Sequence, residues 1–155
     1  MALAVVTGAN RGIGLELTRH LVARGDEVIA ACRAASPELE ATGAEIAEGV
    51  DVADEAGVAA LSRLIGERRV DLLINNAGIL TRETFDDLDY DRMRRQFEVN
   101  TLGPLRVTRA LAGNLGAGSK VGIVSSRVGS LAYNGAMSEY GTRPCAGSPA
   151  IPRWG

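Results

Sequence analysis

At 155 residues, with 46% apolar and 23% charged side chains and a formal net charge of -2, the chain has the make-up of one globular domain. Disordered, fibrous and nucleic-acid-binding classes do not fit this balance. Cys32 and Cys145 lack metal or redox spacing and His20 is the single histidine, which excludes a disulfide-stapled scaffold and a histidine metal centre. Apolar runs fall short of the roughly 18 residues a membrane span needs, and Met1 to Val6 is too short for the apolar core of a signal peptide, so a cytoplasmic protein with no membrane partner is expected.

In chain order, the first β-rich apolar run is Leu3 to Val6, and it enters the glycine-rich stretch TGANRGIG. Helical spacing follows at Ile13, Leu17 and Leu21. A second strand is predicted at Val28 to Ala31, ending at Cys32 and Arg33, and a third at Glu45 to Val50, ending at Asp51 and Val52. Val58, Leu61 and Ile65 mark the next helix, and Val70 to Ile74 the fourth strand, which runs into NNAG. From about Asp89 a longer helical segment carries Met93, Phe97 and Leu105, kinked at Gly103-Pro104; Val121 to Val124 is the fifth strand, followed by Ser125 and Ser126. Strand alternating with helix through five strands predicts an α/β, doubly wound parallel sheet in three αβα layers, because right-handed crossovers set helices on both faces. The ordered domain is expected over 1-140, and the proline-bearing stretch 141-155 as an irregular tail.

The chemistry begins at the first turn. Thr7, Gly8, Asn10, Arg11, Gly12, Ile13 and Gly14 stand between a strand and a helix, where glycines let the backbone approach a diphosphate and the helix offers unpaired N-H groups to the anion. TGxxxGxG in that context resembles the fingerprint of the short-chain dehydrogenase/reductase family. NNAG, FEVNTLGPL and IVSS follow in the order the family has them. The resemblance implies a Rossmann fold, a nicotinamide dinucleotide, hydride transfer between a small carbonyl or alcohol substrate and that coenzyme, and a homodimer paired through the helix containing Asn100. It further implies that Asp51 and Val52 contact the adenine, and that Asn75, Asn76, Ala77 and Gly78 steady the sheet and line the nicotinamide ribose.

NAD enzymes place a carboxylate at the end of the second strand to hold the ribose hydroxyls. Here Cys32 occupies that place, with Arg33 after it and Arg11 inside the glycine turn, so two guanidinium forks are available to a 2'-phosphate and NADP(H) is favoured over NAD(H).

On the catalytic side the resemblance makes Asn100 part of a proton relay, Ser126 the serine that orients the carbonyl, and Tyr140 the candidate acid-base tyrosine. The family's tyrosine depends on a lysine four residues on, which lowers its pKa from about 10. Pro144 stands there. SSRVGSLAYN resembles the branch with bacterial C-factor and related carbonyl reductases; its register puts Thr142 at the tyrosine, Arg143 at an arginine and Ala146 at the lysine. Lys120, the one lysine, precedes the fifth strand, so impaired catalysis is expected in either register. The resemblance ends near Tyr140, leaving the fold incomplete at its C-terminal side, as a truncated or frame-shifted reading would. A non-catalytic dinucleotide-binding or C-factor-like signalling module, and an unstable truncation product, are the alternative expectations.

Overall fold

The computed structural model describes residues 1-84 and 86-126. Tyr140, Thr142 and the expected tail at 141-155 lie outside the described residues. The elements are β1 (Leu3–Thr7), α1 (Gly12–Ala23), β2 (Glu27–Ala31), α2 (Pro37–Glu40), β3 (Glu45–Ala47), α3 (Glu55–Ile65), β4 (Val70–Asn75), α4 (Tyr90–Phe97), a π-helical turn (Glu98–Leu102), α5 (Gly103–Ala110), a 3-10 turn (Ala112–Asn114) and β5 (Leu115–Ile123).

The sheet has the order β3-β2-β1-β4-β5 and every pairing is parallel. Period-two alternation splits its side chains between two cores. Leu3, Val5, Ile29 and Ala31 join Val58, Leu61, Ile65, Val107 and Leu111 of the α3/α5 side, while Ala4, Val6, Val28 and Ala30 join Leu15, Leu21 and Leu39 on the α1 side. Each large aliphatic buried this way contributes about 1.5-3 kcal/mol. Burial on both faces is why the strands read as continuous apolar runs. Because the chain goes from β1 outward to β2 and later returns to the other side of β1 as β4, a crevice opens at the strands' carboxyl ends between β1 and β4, where open α/β sheets take their ligands.

Four local features differ from the sequence expectation. β3 stops at Ala47 because Gly49 turns the chain at φ 78°, although Val50 N-H still bonds the Cys32 carbonyl. The unexpected α2 is seeded by Ser36, whose Oγ accepts from Leu39 N-H, with a proline in the first turn and Leu39 fully buried. β5 begins six residues early at Leu115, but its register against β4 slips between Val70 and Leu72, so the regular ladder runs Lys120 to Ile123. Finally, the segment after Asp89 bends through the π-helical turn just before Gly103-Pro104. Its buried face is Gln96, Val99, Asn100 and Val107, while Phe97 and Leu105 lie exposed and Met93 half-buried.

Candidate functional site

The glycine turn is shaped by contacts with the end of β4. Thr7 is buried, and its Oγ accepts from the N-H groups of Asn76 and Ala77, both at 3.1 Å. The Asn76 amide donates in return to the Thr7 and Gly8 carbonyls at 3.0 and 3.1 Å. Gly14 packs under this clamp: a Cβ there would fall 2.3 Å from the Gly8 carbonyl oxygen and 2.4 Å from Asn76 Nδ2. Gly8 is as tightly held, its Cβ position lying 2.8 Å from Ala77 Cα. Gly12 is the opposite case, with φ 55° and no atom within 4 Å of a Cβ, so its backbone lies open to the cleft. Ser36 Oγ donates to the Asn10 carbonyl at 2.8 Å and ties the turn to α2.

Helix α1 starts at this turn with Arg11 as an extended N-cap, no side-chain cap and no acidic residue in its first turn. By contrast α2, α3 and α4 are capped by Ser36, Asp54 and Asp89. The first N-H groups of α1 therefore lack a protein acceptor of that kind at the mouth of the crevice.

A cleft of about 460 Å³ runs from the turn across the ends of β2, β3 and β4. It brings together the sequence-predicted residues Gly8, Asn10, Arg11, Gly12, Ile13, Arg33, Asp51, Val52, Asn76, Ala77 and Gly78. Thr7 and Gly14 do not line it; they hold its floor in place. Arg11 and Arg33 are exposed and form no ion pair among the described residues. Asp51 is engaged: Oδ1 accepts from Ala53 N-H at 2.9 Å and Oδ2 from Arg95 Nη2 at 2.6 Å. Burial pushes its carboxyl up, but the Ala53 N-H, the Arg95 guanidinium and the charge of Arg33 outweigh it and hold the group below the usual carboxylate range. Cys32, buried in the wall, has its thiol pushed up by burial and by Glu48.

A smaller recess of about 240 Å³ continues past Ile13 and Gly78 to Asn75, Asn100, Ser125 and Ser126. Asn100 is buried with its side chain committed at both ends, Oδ1 accepting from Ile79 N-H at 2.9 Å and Nδ2 donating to the Ile79 carbonyl at 2.8 Å. Pro104, four residues on, has no N-H for the Asn100 main-chain carbonyl. Asn75 lies within the sheet, its Nδ2 donating to Thr108 Oγ at 3.3 Å and its Oδ1 buried without a partner among the described residues.

Sequence reasoning missed Arg95, Val99, Ile79 and Val50 as lining residues, reading Val50 as a strand end, and named Cys32 only as the place of an absent carboxylate. Arg95 carried no signal, since Arg92 and Arg94 beside it look alike and face Asp89 and Asp91. Ile79 follows directly on NNAG and was the nearest to being found.

The sequence profile of the short chain dehydrogenase family matches residues 2-143. The chain is 43% identical over 144 residues to 1-hydroxy-2-glutathionyl-2-methyl-3-butene dehydrogenase of Rhodococcus sp. (strain AD45), covering 90% of this chain and 64% of that protein. It is 48% identical over 77 residues to C-signal of Myxococcus xanthus, covering 48% of this chain and 46% of that one. A carbonyl reductase from Pseudomonas aeruginosa PAO1 in complex with NADP superposes with a TM-score of 0.78 at 34% identity, covering 86% of this chain and 65% of that one. The chain thus spans less than two thirds of each of these relatives.

Proposed function

This chain belongs to the short-chain dehydrogenase family, and from that premise we propose that its cleft binds NADP(H) in preference to NAD(H), for carbonyl-alcohol interconversion whose turnover is impaired in this chain. One observation carries the reading: the open Gly12 backbone and the uncapped start of α1 share one cleft with two uncommitted guanidiniums, Arg11 and Arg33. Those residues fit a dinucleotide. The backbone at Gly12 leaves room for a diphosphate, the helix start supplies N-H donors, and the arginine forks suit a 2'-phosphate where Cys32 offers no carboxylate to repel it. When bound, the nicotinamide would supply the hydride.

At the recess, Ser126 would orient the substrate carbonyl, and Asn100 would fix the chain after β4 through its double bond to Ile79. The group Asn100 has left for a proton relay is its main-chain carbonyl, since the side chain is spent. Impairment follows from Pro144 and Ala146, which stand where a lysine would lower the pKa of the tyrosine. The same residues favour a second reading, a coenzyme-binding module without catalysis, with which the resemblance to C-signal agrees. The exposed Phe97 and Leu105 support pairing of two copies through the Asn100 segment.

Titration of the purified chain with NADPH and NADH tests the proposal. NADPH is expected to bind at least about tenfold tighter, the worth of one charge-assisted hydrogen bond. Arg11→Ala and Arg33→Ala should erase the difference without weakening NADH. Folded protein with affinity for neither coenzyme would refute it; NADPH oxidation with a carbonyl panel separates impaired catalysis from none.

A further inference from the structure

The Asp51-Arg95 pair joins α4 to the loop after β3 across the cleft. Arg92 and Arg94 close i,i+3 pairs with Asp89 and Asp91 on their own helix; the acidic neighbours of Arg95 at helical spacing, Asp91 and Glu98, pair with Arg94 and Arg106, and Arg95 reaches Asp51 instead, at 2.6 Å. Both side chains line the cleft. Each Asp51 oxygen is pinned once, by Ala53 N-H and by Arg95, whereas an ionised carboxylate has about four acceptor sites. Two sites therefore stay open to a donor entering the cleft, on a carboxylate whose orientation is fixed.

We infer that Arg95 is a positioning residue for the adenine end of the coenzyme: it holds Asp51 ionised and aimed so that its open lone pairs accept the adenine amino group, and it cancels a negative charge that would otherwise face a polyanion. This rests on the coenzyme reading above. The charged groups facing Asp51 are Arg95 from α4 and Arg33 from the end of β2, and both favour the ionised form. Without Arg95, burial would work against only the Ala53 N-H and the charge of Arg33, and the carboxyl would take up a proton at a higher pH than in wild type. A protonated Asp51 donates where it should accept, and an ionised but unclamped one repels the phosphates.

The test is calorimetric titration of the full chain with NADP+ from pH 8 to 4, for wild type, Arg95→Met, Arg95→Lys and Asp51→Asn. Arg95→Met should weaken binding on the order of tenfold at pH 8, the value of one charge-assisted contact. The ratio of its Kd to that of wild type should widen further as the pH falls, because Asp51 protonates at a higher pH in the variant. The coenzyme's own 2'-phosphate titrates near pH 6 in both and cancels in the ratio. Arg95→Lys, which keeps the charge but not the fork, should sit between, and Asp51→Asn should lose affinity by a factor that does not grow with acid. A pH-independent Arg95→Met ratio, or undiminished affinity, would overturn the inference while leaving the coenzyme reading intact. Wild type that binds no NADP+ would fell both. Failure of both Arg95 variants to fold would assign Arg95 to the fold and overturn the positioning role.

Discussion

Gly14→Ala sets two rules against each other. Gly14 lies in the first turn of α1, and helix propensity alone favours alanine there by about 1 kcal/mol. Packing opposes it: the new methyl would meet the Gly8 carbonyl oxygen at 2.3 Å and Asn76 Nδ2 at 2.4 Å, and the first of these is backbone with no rotamer to change. Relief requires α1 to move off the sheet or the Asn76 clamp to open. An overpacking cost of about 1-3 kcal/mol, plus about 1 kcal/mol for each of the two Asn76 bonds displaced, leaves a net loss of about 2-4 kcal/mol after the propensity gain. The assay is urea unfolding followed by circular dichroism, with Gly12→Ala beside it. That substitution has open space and only its φ of 55° to strain, so it should cost about 1 kcal/mol in stability yet weaken NADPH by more than about tenfold, because its methyl enters the cleft. A Gly14→Ala protein as stable as wild type would refute the view that this glycine exists to let the helix seat on the clamp.

Arg68 joins the starts of β2 and β3 through Glu27 at 3.0 Å and Glu45 at 2.7 Å, at the end of the sheet away from the cleft; Arg68→Ala should cost about 1 kcal/mol, discounted for exposure, with NADPH affinity unchanged by titration. Asp51, Asp26 and Asp89 are all held below the ordinary carboxylate value, by Ala53 and Arg95 against burial, by Arg24, and by the Arg92 N-H respectively. Their stabilisation is complete above about pH 4 and is lost as the pH falls through the lower folded values, so the urea midpoint should be flat from pH 8 to 5 and fall below 4, less steeply in Asp51→Asn. Tyr140→Phe should leave NADPH affinity within about twofold, since the coenzyme-gripping residues proposed above all lie between Gly8 and Gly78; a larger loss would place that tyrosine on the coenzyme.

The fold was readable because its central strands are buried on both faces, so β1 and β2 announce themselves as apolar runs and β4 as one interrupted by Asp71, and Val58, Leu61 and Ile65 bury as their spacing requires. Where the reading slipped, a single residue usually decided the matter. Gly49 cut β3 short, Ser36 and Pro37 nucleated a helix too brief for periodicity to reveal, α4 turned Gln96 inward in place of Phe97, and past the π-helical turn Leu105 lies exposed. Gln96 and Asn100 took the inward positions because loop backbone needed partners, Gln96 Oε1 accepting from Thr81 and Asn100 clasping Ile79. The lining of the cleft was legible in TGANRGIG and NNAG. Their division of labour was not, because the spacing of glycines does not distinguish one that faces a ligand from one that seats a helix.

That division bears on how such a site is built. The larger cleft draws on residues between Gly8 and Val99, from the ends of β1 to β4 and from α4, and its floor is fixed by hydrogen bonds between the end of β1 and the end of β4. The recess shares Ile13, Asn76, Ala77, Gly78 and Ile79 with the cleft but adds Pro104 of α5 and Ile123 to Ser126 at the end of β5, a strand most of whose residues are exposed, Val121 and Ile123 among them. A binding surface anchored in the centre of a sheet is buffered against change at the sheet's edge, since the contacts that shape it do not pass through the outer strand. On the coenzyme reading proposed above, the hydrogen bonds between the ends of β1 and β4 that fix the cleft floor among the described residues involve no residue after Ala77, so they would stand without a lysine near Tyr140.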